Sequence, residues 1–318
     1  MNANIISALE TILRKEKQDK NVFKARAYAK VIAAVKDYPK PITNMEDVSK
    51  IEGVGERIRE KIKEVLETGH LVAADKIKED DTVDAMESLL NIYGVGPAKA
   101  KELLKAGIRT VNDLKKAIAS GDVTLNEKQT IGLKYYDDIL KRIPRAEVIQ
   151  HERIMKAAFP SFECQVVGSY RRGAVDSGDV DVLVKGESRQ EFASGIYRMR
   201  ESGYIIETLA EGPKKFMGVA KVSETGIARR IDILLTPSEE FGYAILYFTG
   251  SDKFNVAMRK HAISLGWSLN EHGLTALNMT ADRKKMLSSD LSTEEAIFEF
   301  LGVPWVAPTE RSVFPKIT

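Results

Sequence analysis

"GSYRRGAVDSGDVDVLV", Gly168–Val184, decides how the second half of the chain is read. Side chains of a strand alternate between its two faces. Asp179 and Asp181 then point one way while Val180, Val182 and Val184 point the other. Neighbouring carboxylates resist joint ionisation unless a cation or an array of donors lies between them. A solvated outer face is the ordinary explanation for such alternation, and it has to be weighed against the flanking sequence.

"CQVVGSYRRG" reads as a strand followed by a turn, and "KKFMGVAKV" and "RRIDILLTP" as two further strands. In the last, Arg230 and Asp232 share a face opposite Ile231 and Ile233. A third acid therefore sits mid-strand in an apolar segment. Hard divalent cations such as Mg²⁺ take oxygen ligands and share them with substrate phosphates. Two such ions about 4 Å apart activate a nucleophile and clamp a leaving oxygen. Three carboxylates on adjacent strands fit that use better than a solvated face. Gly168 permits close approach, Ser169 offers a hydroxyl and an N–H, and Arg172 offers a planar fork for phosphate oxygens.

Up to about Pro144 the pattern is helical. "NVFKARAYAKVIAAVKDYP" has helical apolar spacing and stops at Pro39. Two segments then repeat each other about forty residues apart: "IEGVGERIREKI" from Ile51 and "IYGVGPAKAKEL" from Ile92. Each reads as a helix end, a Gly-Val-Gly turn, and a new helix opening at Glu56 or Pro97. Gly53, Gly55, Gly94 and Gly96 expose backbone N–H groups at a helix start, where an anion is favoured. Arg57, Lys61, Lys99 and Lys101 add positive charge. One G-x-G often only turns a chain; two with the same flanks point to a pair of phosphate grips. The pair is similar to helix-hairpin-helix motifs, which hold DNA backbones without reading sequence. That similarity implies a monovalent cation, K⁺ or Na⁺, on the carbonyls of Ser49, Ile51 and Val54 in one turn and of Leu90, Ile92 and Val95 in the other.

On the helical wheel Ile58, Ile62, Val65 and Leu66 form an apolar stripe with Lys61 at its edge, near Arg57. Partial burial and a neighbouring cation both favour the neutral amine a nucleophile needs, and Glu64 opposes it. A snorkelling surface lysine fits the same pattern, so spacing alone does not select Lys61.

Bulk composition narrows the class. With 43% hydrophobic and 30% charged residues in 318, the chain has the makings of a soluble globular protein of one large or several small domains. Net charge is only +2, so affinity for nucleic acid must come from local basic surfaces. A single cysteine, Cys164, excludes an internal disulfide and a cysteine-ligated zinc site. No apolar run approaches the ~20 residues that span a bilayer, and the N-terminus turns charged too early for a signal peptide.

With these motifs in place, the chain resembles the family X DNA polymerases nearly from end to end. The resemblance rests on "GVGERIREKI", "YGVGPAKA", "IGLKYYDDILKRIPR", "GSYRRG", "GDVDVL", "KFMGV", "RRIDI", "LYFTGSDKFN" and "SLNEH". "FLGVPWVAPTER" is closest to the lambda branch. The resemblance implies an α+β multidomain chain: a helical helix-hairpin-helix half, a nucleotidyltransferase palm with a mixed or antiparallel sheet, and a C-terminal α+β subdomain. The expected divisions are 1–80, 81–144, 145–237 and 238–318.

It further implies a 5′-deoxyribose phosphate lyase in which Lys61 is the Schiff-base nucleophile. Lys24, Tyr28, Arg57 and Lys76 would surround the 5′-phosphate, and Glu60 would orient the reacting groups. In the palm, Asp179, Asp181 and Asp232 would bind two Mg²⁺ ions, with Arg230 tuning Asp232 and contacting the primer backbone. Arg142, Gly168, Ser169, Arg172 and the Gly178 N–H would hold the incoming triphosphate. Tyr247, Phe248 and Gly250 would line the sugar, Asp252 would pack on the base, Asn255 would reach the minor groove and Arg259 the template. Expected partners are gapped or nicked duplex DNA, deoxynucleoside triphosphates and other repair proteins. The protein would act as a monomer, inside the cell, in the nucleus of a eukaryote; a viral source is also compatible.

Three departures bear on this. Leu234 stands where the beta branch has an arginine that competes for the last ligand aspartate. His272 follows Asn270-Glu271 where that branch has a tyrosine, and Phe23 replaces a template-stacking histidine. A BRCT-type domain ahead of the lyase part and a phosphatase-like domain behind the palm are not expected. A template-independent terminal transferase and a non-enzymatic DNA-end scaffold are the rival readings; "YFTGSDKFN" opposes the first and the intact acid set the second.

Overall fold

The spacing that marks the first half as helical is also what packs it. The computed structural model describes residues 2–79, 81–278 and 291–312, and the chain divides into two units, Met1–Leu133 and Lys134–Thr318. In the first, Ile5, Leu9 and Ile12 of Ala3–Gln18 meet Val31, Ile32 and Val35 of Val22–Asp37 and Ile58, Ile62 and Val65 of Glu56–Thr68 in one core. Ile62 is fully enclosed, which is worth about 2–3 kcal/mol for such a side chain. Val22–Asp37 ends at Tyr38, held extended by the proline that follows.

Both Gly-Val-Gly turns form as read. Gly53 and Gly94 adopt φ of +85° and +83°, a region that favours glycine, and helices open at Glu56 and Pro97. Met45–Ser49, Val72–Glu79, Asp81–Leu90, Val111–Ala119 and Glu127–Lys134 complete the helices, and the first unit has no strand among its described residues.

The described residues of the second unit hold nine strands: β1 (Ile143–Pro144), β2 (Glu163–Val166), β3 (Asp176–Ser177), β4 (Val180–Lys185), β5 (Ile205–Gly212), β6 (Lys215–Ala220), β7 (Arg229–Thr236), β8 (Trp267–Asn270) and β9 (Gly273–Ala276). Five form one mixed sheet in the order β2-β4-β7-β6-β5, in which only β4 and β7 run parallel. Helices Arg145–Ala158 and Arg189–Glu201 cover one face, burying Val180, Val182, Val184, Ile231 and Ile233. On the other face, helix Phe241–Thr249 covers only part: Leu183 packs with Phe241 and Ala244. A separate core joins hairpin β8–β9 to helices Asp252–Ser264 and Glu294–Phe300.

Three sequence readings change. Asp179 lies in a bend just before β4 rather than in the strand. "GSYRRG" forms a short helix, Gly168–Arg171, instead of a plain turn. Strand β5 was not anticipated, because two irregularities in its pairing with β6 break the alternation that would have marked it.

Candidate active sites

The parallel pair β4 and β7 sets Asp181 directly opposite Asp232. Burial, then the charge of Asp232, pushes Asp181 up to about 6, with Lys215 pulling back. Burial raises Asp232 too, opposed by Arg230 and Lys215. Asp232 Oδ1 is buried with no hydrogen-bond partner among the described residues. Gly168, at φ +61°, leaves room here: a Cβ on it would stand 3.2 Å from Asp181 Oδ2. Buried, like-charged, hard oxygen donors with an orphaned lone pair suit a divalent cation such as Mg²⁺. Among the described residues no three His, Cys, Asp or Glu side chains gather closely enough to hold a metal unaided. Asp179 is the acid engaged elsewhere, its carboxylate paired with Arg230. Arg230 lowers the proton affinity of Asp232 through its charge, but its ion-pair partner is Asp179.

A cavity of about 740 Å³ opens beside Asp179 and Asp181. Arg142, Gly168, Ser169, Arg172 and Gly178, the expected triphosphate residues, all line it. Ser169 Oγ donates to Ser177 Oγ at 3.0 Å, and Arg172 Nη1 to the Thr249 carbonyl at 2.7 Å. Arg172 Nε is buried and has no partner among the described residues. Tyr247, Phe248, Gly250, Asp252 and Asn255 form the opposite part of the lining. Ser251, Lys253 and Ser312 also line it and were not anticipated.

Asn255 of this lining, and Arg259 outside it, are both engaged within the protein. Asn255 Nδ2 donates to the Tyr247 carbonyl at 2.7 Å. Arg259 lies 4.7 Å over the Tyr247 ring and 3.5 Å from Glu271. Leu234 packs with Phe248 against the Leu183 cluster, so at this position an apolar contact stands where a competing cation would be. His272 Nδ1 is 2.7 Å from Glu240 Oε2.

A buried ionic cluster escaped the sequence reading. Glu294 accepts from Arg171 and from the fully buried Arg311, each at 2.6 Å. Arg171 also donates to Thr249 Oγ1 at 2.8 Å, and Ser251 Oγ to the Arg311 carbonyl at 2.7 Å. The cluster thereby fixes both sides of the Thr249–Ser251 turn. Its only sequence signal is the "APTER" ending, where an arginine follows four small or polar residues.

In the first unit, Lys61, Arg57, Lys24 and Tyr28 line a cavity of about 630 Å³ with Gly53 and Gly55. Glu60 and Lys76 are exposed and are not part of its lining. Glu16 is, and it was missed: its carboxylate is 3.4 Å from Lys24 Nζ and accepts from Asn21 Nδ2 at 2.6 Å. Continuing the Ile5-Leu9-Ile12 spacing by four residues would have reached it. Burial and then Glu16 raise the Tyr28 phenol, with Arg57 opposing.

At the paired turns, Gly55 and Gly96 have extended backbones, and a Cβ built on either meets nothing within 4 Å. Neither φ nor internal packing requires glycine there. What these positions keep open is approach from outside. Ser49, Ile51 and Val54, and Leu90, Ile92 and Val95, flank the turns as read; the Ile92 carbonyl already accepts from Val95 N at 3.0 Å.

Family models match four consecutive stretches: a helix-hairpin-helix domain over 1–71, the fingers domain of DNA polymerase lambda over 87–140, the DNA polymerase beta palm over 142–238 and the DNA polymerase beta thumb over 244–312. The chain belongs to family X of the DNA polymerases. Family relatives include DNA polymerase lambda of Rattus norvegicus, 36% identical over 98% of this chain and 56% of the relative. DNA polymerase lambda of Arabidopsis thaliana is 30% identical over 97% and 61%, and DNA nucleotidylexotransferase of Gallus gallus 23% identical over 98% and 67%. The chain thus spans little more than half the length of the two lambda relatives. Among the described residues no helix is long and apolar enough to cross a membrane.

Proposed function

We propose that the chain is a template-directed DNA polymerase that fills short gaps in base excision repair and also removes a 5′-deoxyribose phosphate. The observation that carries this reading is the second unit's cavity, where the carboxylates Asp179 and Asp181 meet the phosphate donors Arg142, Ser169 and Arg172. Asp179, Asp181 and Asp232 would hold two Mg²⁺ ions, which when bound supply Lewis acidity and charge neutralisation at a transferring phosphoryl group.

The chain's own residues do the rest. Arg142, Ser169, Arg172 and the Gly178 N–H grip the triphosphate through charge-assisted bonds. Tyr247 and Phe248, packed edge to face with ring centroids 5.0 Å apart, sit with Gly250 under the sugar and leave little space for a 2′-hydroxyl. Asp252 packs on the base, while Asn255 and Arg259 leave their Tyr247 and Glu271 partners for the minor groove and the template. Arg230 exchanges Asp179 for the primer backbone.

In the lyase reaction the Lys61 amine adds to the C1′ aldehyde of the opened sugar and loses water to form an imine. Loss of the C2′ proton then expels the 3′-phosphate, and hydrolysis frees the lysine. Lys24, Tyr28 and Arg57 hold the 5′-phosphate; of the two residues exposed without DNA, Lys76 joins them when it binds and Glu60 orients the reacting groups. The two glycine turns grip the flanking DNA backbone, with a monovalent cation on their carbonyls. The four-part division at about residues 80, 144 and 237 belongs to the same reading, as do a monomeric state, repair-protein partners and a nuclear location in a eukaryote.

Incorporation on a one-nucleotide gap bearing a 5′-sugar phosphate, with borohydride trapping, tests both sites together. Mg²⁺-dependent filling of the gap and a trapped adduct lost in Lys61→Ala are expected. Preferential extension of a single-stranded primer would instead favour the template-independent transferase.

A further inference from the structure

We infer that Asp176 is a positioning residue for the triphosphate grip and acts through Arg142; the inference rests on the polymerase reading above. The Arg142 side chain is 56% exposed, and an exposed guanidinium samples many rotamers that binding must freeze. Asp176 restricts them beforehand. Its Oδ1 accepts from Nε at 2.9 Å and from Nη2 at 2.8 Å, and its main-chain carbonyl accepts from Nη2 at 3.2 Å.

The backbone holding this clasp is fixed as well. Strands β1 and β3 pair Pro144 with Asp176 and the fully buried Ile143 with the buried Ser177. Arg142 leaves the chain one residue before that anchored rung, and the facing strand takes hold of it. The clasp occupies the Nε/Nη2 edge of the fork. Nη1 is left beside Gly178, where a built Cβ would lie 3.1 Å away. Arg142 and Gly178 line the cavity and Asp176 does not. The carboxylate therefore approaches from the edge turned away from the phosphate and aims Nη1 without competing for it. An Arg fork splits its donors between two partners in this way because its geometry is rigid.

The test is steady-state incorporation into a one-nucleotide gap by the full chain carrying Asp176→Ala, Arg142→Ala or both. Asp176→Ala is expected to raise KM for the deoxynucleoside triphosphate about fivefold, the cost of ordering one long side chain, with kcat held within about twofold. Asp176→Asn, which keeps the acceptor oxygen without the charge, should retain part of the effect and serves if the alanine variant does not fold. In the Arg142→Ala background Asp176→Ala should add nothing. A fall in KM, showing that the carboxylate competes with phosphate, overturns the inference; so does an undiminished rise without Arg142. If Arg142→Ala raises KM and Asp176→Ala does not, the positioning role alone fails. If neither raises it, the assignment of Arg142 to the triphosphate fails with it.

Discussion

The two cavities pose opposite problems of charge. In the first unit Lys61, Lys24, Arg57 and Lys15 stand around apolar walls from Ile12, Ile58 and Ile77, with Glu16 among them. In the second, Asp181 and Asp232 face each other across one rung of the sheet. Long basic stems relieve their repulsion by swinging their heads into solvent. Two aspartates on short stems, fixed by a parallel ladder, have no such freedom; burial, joined at Asp181 by the charge of Asp232, raises their proton affinity instead. A cation pocket can therefore wait for its anion at little cost, whereas an acid pair waits for its cation at the expense of the fold.

The largest expected effect separates the sites. Asp232→Ala should cut gap filling by at least about a thousandfold and leave borohydride trapping on Lys61 intact; loss of both in a folded variant would sink the picture of two independent centres. Lys61→Ala should do the reverse, abolishing the trapped adduct with gap filling within about twofold.

Next comes stability against pH, where the buried His151 and the half-buried Asp181 of the second unit pull in opposite directions. His151 is buried, its Nδ1 2.6 Å from the Tyr204 hydroxyl, and burial holds it down to about 4 from 6.5, with Glu147 opposing and Arg229 assisting. Above pH 6.5 neither folded nor unfolded chain carries this proton. As pH falls toward 4 only the unfolded chain takes it up, so stability is lost by on the order of 3 kcal/mol. Asp181 behaves inversely: its contribution is complete below its unfolded value of 3.8 and is lost as pH rises through about 6. In metal-free buffer at pH 8, Asp181→Asn should therefore raise the melting temperature by about 5 °C, and should gain nothing at pH 3.5. Thermal melts at both values, with and without Mg²⁺, check it; equal gains at both would remove the charge argument.

The smallest effect concerns the open turns. Gly55→Ala and Gly96→Ala should leave the fold within about 0.5 kcal/mol yet weaken binding to gapped DNA about threefold each, measured by anisotropy across a salt series.

Legibility followed how local each cause is. The helix starts at Glu56 and Pro97 were readable because a Gly-Val-Gly turn carries its own instructions within three residues. The D-x-D pattern signalled a cation, but the rung joining Asp181 to Asp232 is a long-range register that no spacing announces. Glu60 came with the motif around Lys61, and spacing could not say that it faces solvent. Arg311 carries no local signal of its own that it is enclosed. Its burial depends on Glu294 and on the rings of Phe254, Phe298 and Trp305, which arrive from elsewhere.

The hairpin of β5 and β6 pairs Gly212 with Lys215, so only Pro213 and Lys214 make its turn. Both are exposed, and the chain passes this tip between the two strands that carry the facing aspartates. Extra peptide spliced between Gly212 and Pro213 would lengthen the journey from one acid to the other without altering where it ends. The tip is thus a natural port for cargo: a reporter or a second binding module carried there would ride on the protein without changing the spacing of its acids.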